Sequence, residues 1–125
     1  MKQNLKDKVC LIIGGTKGIG FEAAKVLHGL GAKVAICGRN TKRAKIAAGT
    51  INSDFLNVLY FGCDINKSTD IKRVVSAVIY KWQKVDILII TAGIFGPFGV
   101  FESVPFNEHK KTINSNILGT MACCH

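Results

Sequence analysis

The chain has 125 residues, 48% of them hydrophobic and 20% charged, with 17 Lys and Arg against 8 Asp and Glu for a formal net charge of +9. A disordered chain would be poorer in apolar residues and a membrane span would need about 18 consecutive ones, so the composition predicts one soluble globular domain over 1–125. The positive balance admits an acidic partner, but the basic residues are dispersed, the densest group being Arg39, Lys42, Arg43 and Lys45, and no recognition helix or aromatic platform accompanies them. Nucleic-acid binding is therefore not expected, and most of the charge reads as solvated surface.

Five cysteines, Cys10, Cys37, Cys63, Cys123 and Cys124, show no metal-ligand spacing among themselves or with the histidines His28, His109 and His125. The first three lie in or at the end of apolar runs and read as reduced core thiols. The N-terminal apolar run Val9 to Ile13 is too short for a secretory signal and is flanked by charges. Together these features predict a reducing, cytoplasmic compartment.

In chain order, Val9 to Ile13 reads as a strand buried on both faces, running into Gly14-Gly15. Ile19, Ala23, Val26, Leu27 and Leu30 then recur at helical spacing, with Gly31 as a stop. Lys33 to Cys37 is a second strand, and Thr41 to Ala48 a short helix capped by Asn40 or Thr41. Val58 to Phe61 is a third strand. Ser68 opens the strongest helix, in which Ile71, Val74, Val75, Val78, Ile79 and Trp82 form one apolar stripe. Asp86 to Ile90 is a fourth strand, a loop with Gly93, Gly96, Pro97 and Gly99 follows, and a last helix runs from about Pro105 to the end. Alternating strands and helices predict an α/β fold, a doubly wound parallel sheet of Rossmann type built from right-handed crossovers. Its strand order is expected to be 3-2-1-4.

The segment Ile13-Gly14-Gly15-Thr16-Lys17-Gly18-Ile19-Gly20 joins the first strand to the first helix. Glycines there let the chain turn sharply and let its backbone approach a pyrophosphate, while the helix N-terminus offers N–H donors and a positive partial charge. Placed inside a βαβ unit, the pattern predicts a dinucleotide site.

The spacing Gly14-x-x-x-Gly18-x-Gly20 resembles the glycine loop of the short-chain dehydrogenase/reductase family, with Ile13 where the family usually has Thr. The resemblance continues in Cys63-Asp64-Ile65, where Asp64 matches the family's adenine-binding Asp. Ile90-Thr91-Ala92-Gly93 stands in the place of the family's N-N-A-G and lacks its two asparagines, which in the family brace the backbone there. Asn116-Ile117-Leu118-Gly119 matches N-x-x-G, whose Asn holds a water in the proton relay, while Asn114 is expected to be structural. The resemblance implies cofactor contacts at Gly14, Thr16, Lys17, Gly18, Ile19, Gly20, Arg39, Asp64, Ile65, Ala92 and Gly93, and a catalytic contribution from Asn116. It also implies hydride transfer between a nicotinamide and a small carbonyl or alcohol substrate, and a dimer or tetramer of the full protein assembled through the last helix.

An acidic residue at the end of the second strand would bind the ribose of NAD, whereas Cys37-Gly38-Arg39-Asn40 has no carboxylate. Arg39 offers a planar fork for a 2′-phosphate and Lys17 a second cation, which predicts NADP(H) over NAD(H). The family's catalytic Ser and Tyr-x-x-x-Lys have no counterpart in place. Tyr80 and Lys84 have the spacing, but they precede the fourth strand and read as a helix-end tyrosine and an exposed lysine. An apolar fourth strand on an open edge and an uncapped final helix point to a fold left incomplete after the fourth strand and its helix, the N-terminal half of a longer protein or a truncated product. The alternative function is a non-catalytic dinucleotide-binding module, favoured by the missing asparagines. Phe95, Phe98 and Phe101 read either as one wall of a substrate pocket or as core.

Overall fold

The computed structural model describes residues 4–125. Four strands, β1 (Val9–Ile13), β2 (Lys33–Gly38), β3 (Val58–Gly62) and β4 (Ile87–Ile90), form one parallel sheet in the order β3-β2-β1-β4. The helices between them are α1 (Gly18–Gly29), α2 (Thr41–Ile51) and α3 (Ser68–Trp82). In register, Ile13 lies beside Cys37 on one flank and Ile90 on the other, so the C-terminal ends of the three strands finish level.

Because side chains alternate across a strand, β1 feeds two cores. Val9, Leu11 and Ile13 join Ala35 and Cys37 of β2 under Ile71, Val74 and Val78 of α3. Cys10 and Ile12 join Val34 and Ile36 under Ala24 of α1 and Ala47 and Ala48 of α2. Helices thus cover both faces, which is why β1 and β2 can be apolar almost throughout.

Three expectations need correction. The packing face of α1 is turned from the predicted stripe: Gly20 and Ala24 are its buried residues, whereas Ile19 is 82% and Val26 61% exposed. The helix starts hard against the glycine turn, where a Cβ on Gly20 would collide, and Phe21 and Leu27 pack half-buried beside Ala24. In α3, Ile79 falls outside the buried stripe. The last helix is not uniform either: α4 (Phe106–Ile113) passes through a π-helical segment, Asn114–Gly119, into α5 (Thr120–Cys124).

Helix ends follow local chemistry. The side chain of Asn40 caps α2 by accepting from the Arg43 N–H at 2.9 Å. Gln83 ends α3 in the left-handed region, with its N–H donated to the Ile79 carbonyl. At the opposite end of the sheet, Asp86 accepts from the Val9 N–H at 2.8 Å and pairs with Lys84 at 3.0 Å, tying the start of β1 to the start of β4. That backbone hydrogen bond, together with the lysines Lys84 and Lys8, holds the Asp86 carboxyl below its ordinary value.

Candidate functional site

The level strand ends open into a cleft of about 710 Å³, at the end of the sheet where open α/β folds place their ligands. Its floor is the turn from β1 to α1. Gly14 has φ +96, and a Cβ there would lie 2.5 Å from the Ala92 nitrogen, so the turn and the exit of β4 can be this close only with glycine. Gly20 does not line the cleft; a Cβ on it would overlap the Thr91 hydroxyl and the Gly14 carbonyl. Its role is to let α1 start directly behind the turn.

The N-terminus of α1 is left open toward the cleft. Lys17, its N-cap residue, makes no side-chain cap and the first turn has no acidic residue. The unsatisfied N–H groups and the helix dipole therefore favour an anion at this point. By contrast, the N-terminus of α2 already has the Asn40 side chain.

Of the residues implied by the resemblance, Gly14, Thr16, Lys17, Gly18, Ile19, Arg39, Asp64, Ile65, Ala92 and Gly93 all line this one cleft. Three cations, Lys17, Arg39 and Arg43, stand around its β2 end with no acidic partner among the salt bridges of the described residues. Arg43 was not singled out for the site, although the basic cluster around Arg39 carried its signal. It lies in the first turn of α2, and the Asn40 cap sets the direction in which that turn enters.

On the β3 side, the Asp64 carboxylate accepts from the Asn66 backbone at 3.0 Å. The Asp64 N–H is donated to the Asp70 carboxylate at 2.9 Å, which holds the Asp70 carboxyl below its ordinary value, helped by Arg73. Asn66 also exchanges hydrogen bonds with Ser115, at 3.0 and 3.2 Å, joining this loop to the π-helical segment. Ser115 is buried, and like Asn66 it lines the cleft and was missed in the sequence. No local sequence signal pairs residues this far apart.

Thr91 supplies the bracing that the absent asparagines had put in question. Its hydroxyl donates to the Gly14 carbonyl at 3.1 Å, while its N–H and that of Ala92 both donate to the Ile13 carbonyl at 2.8 and 3.0 Å. Asn116 does not line the cleft. Its side chain accepts from the Ile94 N–H and donates to the Ile94 carbonyl, both at 2.8 Å, so it pins the chain leaving β4. Phe95 and Phe98, each 91% exposed, and Phe101 belong neither to the core nor to the cleft. Tyr80 is exposed on α3, away from the cleft.

The cleft fits a dinucleotide by its own chemistry: glycines where a backbone must approach a ligand, an open helix N-terminus for a pyrophosphate, and unpaired cations at one end. Among the described residues, no cluster of His, Cys, Asp and Glu suits a metal ion, and no helix is long and apolar enough to cross a membrane.

A family model described as short chain dehydrogenase matches residues 8–125. The chain is 31% identical over 120 residues to short-chain dehydrogenase reductase 3b of Arabidopsis thaliana, covering 96% of this chain and 46% of that protein. It is 31% identical over 118 residues to a 3-oxoacyl-[acyl-carrier-protein] reductase of Homo sapiens, covering 94% and 48%. Among solved structures, a 3-ketoacyl-(acyl-carrier-protein) reductase from Brucella melitensis complexed with NADH superposes with a TM-score of 0.89 at 34% identity, over 97% of this chain and 48% of that one. The chain spans about half the length of the relatives it matches.

Proposed function

The chain belongs to the short-chain dehydrogenase/reductase family, and on that premise we propose that it is the cofactor-binding part of an NADP(H)-dependent oxidoreductase acting on a small carbonyl or alcohol substrate. The observation that carries this reading is the three-cation end of the cleft. Lys17, Arg39 and Arg43 converge beside the β2 terminus, where NAD-binding folds place a carboxylate, and this chain has none there.

The residues around the cleft divide the work in that reading. The α1 N-terminus and the backbone of Gly14 and Gly18 hold the pyrophosphate. Arg39, with its planar fork, grips the 2′-phosphate, and Lys17 and Arg43 add charge. Asp64 and Ile65 flank the adenine, and Ala92-Gly93 leaves room for the ribose. When bound, the nicotinamide cofactor supplies the hydride. Asn116 fixes Ile94 at the exit of β4 and is assigned the ordering of a water in the proton relay. In this reading no residue of 1–125 is assigned the role of the acid that protonates the substrate oxygen, and the whole protein is assigned a dimer or tetramer assembled through its last helix. Relatives named for reduction of 3-oxoacyl groups support a ketone substrate.

The Thr91 brace weakens the case for a non-catalytic module, since the strand junction that depended on the asparagines is held by another side chain. Calorimetric titration with 2′,5′-ADP tests the proposal: saturable binding, weakened by rising salt, is expected, and no binding would overturn it. In an NADPH-oxidation assay with a panel of ketones, the 125-residue chain is expected to show no turnover. Turnover would put the acid catalyst within these residues.

A further inference from the structure

Asp64 is held at two points, and one of them leads into a different element of the fold. Its N–H is donated to the Asp70 carboxylate at 2.9 Å, which fixes the backbone. Its Oδ1 accepts from the Asn66 N–H at 3.0 Å and from the Asn66 side-chain Nδ2 at 3.2 Å, while Oδ2 has no hydrogen-bond partner among the described residues. Asn66 is exposed, and an exposed amide left to itself would exchange such a bond for water. It is instead gripped by the Ser115 hydroxyl, which accepts from Nδ2 at 3.0 Å and donates to the Asn66 Oδ1 at 3.2 Å. Among the described residues Ser115 is the only buried polar side chain, 6% exposed, and it sits in the π-helical segment. That segment lies hard against the same loop: a Cβ on Gly119 would be 2.9 Å from the Ile65 side chain and 3.1 Å from the Ile65 carbonyl oxygen.

We propose that Ser115 is a positioning residue for base selection: through Asn66 it fixes the Asp64 carboxylate, so that the adenosine end of the cleft takes a 6-aminopurine and rejects a 6-oxopurine. The proposal rests on the dinucleotide reading of the cleft, which Asp64, Asn66 and Ser115 all line. An ionised carboxylate is acceptor-only, so its free oxygen finds a partner in the amino group of adenine and none in the carbonyl oxygen of hypoxanthine. Hypoxanthine does carry a donor one ring position away, at N1. A carboxylate free to turn reaches that donor, whereas one held by an anchored amide does not. Rigidity of Asp64 therefore sets the discrimination between the two bases, beyond what it adds to affinity for either. Loss of the Ser115 hydroxyl releases the Asn66 amide to water and, with it, the Asp64 carboxylate.

Calorimetric titration of the chain with NADPH and with its hypoxanthine analogue, in the wild type, Ser115→Ala and Asn66→Ala, tests the relay. The wild type is expected to favour NADPH by about tenfold or more, the worth of one hydrogen bond to a charged group. Ser115→Ala is expected to bring that ratio below about threefold. Asn66→Ala breaks the same link from its exposed side, is expected to lower the ratio at least as far, and carries the test alone should Ser115→Ala not fold. Combining the two is expected to lower it no further, because Ser115 acts through Asn66. A merely structural role for Ser115 would weaken both compounds alike, so a ratio unmoved by these variants overturns the proposal, as does a wild type that binds the two compounds equally. A wild type that binds neither compound overturns the dinucleotide reading and the proposal with it, a result distinct from binding without selection.

Discussion

Strands β1 and β4 are nearly interchangeable as sequences, Val-Cys-Leu-Ile-Ile and Ile-Leu-Ile-Ile, and they hydrogen-bond to each other, yet they live in different environments. All five residues of β1 are buried, between β2 and β4 and under helices on both faces. β4 is the edge, with Leu88 37% exposed and no strand beyond it among the described residues. The segment after β4 continues the contrast, since Phe95, Phe98, Val100, Phe106, Ile117, Leu118 and Met121 all face outward. Hydrophobic sequence specifies a strand; its place in the sheet decides how much water it excludes and so how much it stabilises.

The largest expected effect is in the centre. Leu11→Ala should lower unfolding free energy by about 3 kcal/mol in denaturant titrations, while Leu88→Ala should cost under about 1 kcal/mol. Equal losses would remove the distinction between central and edge strand. Next comes Gly14→Ala, which forces a Cβ against the Ala92 nitrogen at positive φ. A cost of about 2 kcal/mol is expected, with weakened 2′,5′-ADP binding, and unchanged stability would mean that the turn has room to relax. Thr91→Val, which removes the hydroxyl bonded to Gly14, should cost about 1 kcal/mol. Wild-type stability in that variant would show that the backbone bonds alone secure the junction.

The smallest effect is that of pH. Asp70 and Asp86 have carboxyls held below their ordinary values by the Asp64 and Val9 N–H groups. A depressed folded value means stability that is fully present above the unfolded value, near 4, and is lost as pH falls through the folded one. Thermal midpoints should therefore hold steady above about pH 5 and decline below about pH 4. Asp70→Asn should flatten part of that decline, and an identical acid profile in the variant would deny Asp70 a role at the cleft loop.

The four strands, their order and the glycine turn were legible because each rests on local period and punctuation. What escaped reading depended on partners distant in sequence. Ile19 and Val26 look like core residues of a helix, but the contact of Gly20 with the glycine turn rotates the buried face onto Gly20, Phe21, Ala24 and Leu27. A π-helical turn has no simple composition, and it aims Ser115 at Asn66 and Asn116 at Ile94 across separations that no window spans. Thr91 reaches Gly14 from 77 residues away, so a missing asparagine could be seen in the sequence but its replacement could not.

The most direct test of the cationic cleft is the ratio of NADPH to NADH affinity, measured by calorimetry on the wild-type chain and on Arg39→Asp. A forked charge-assisted contact is worth about 1.5–3 kcal/mol, so the wild type is predicted to favour NADPH by roughly tenfold to a hundredfold and the variant to lose or reverse that preference. Equal affinities in the wild type, or a ratio unmoved by Arg39→Asp, would contradict the assignment of this cleft to NADP(H).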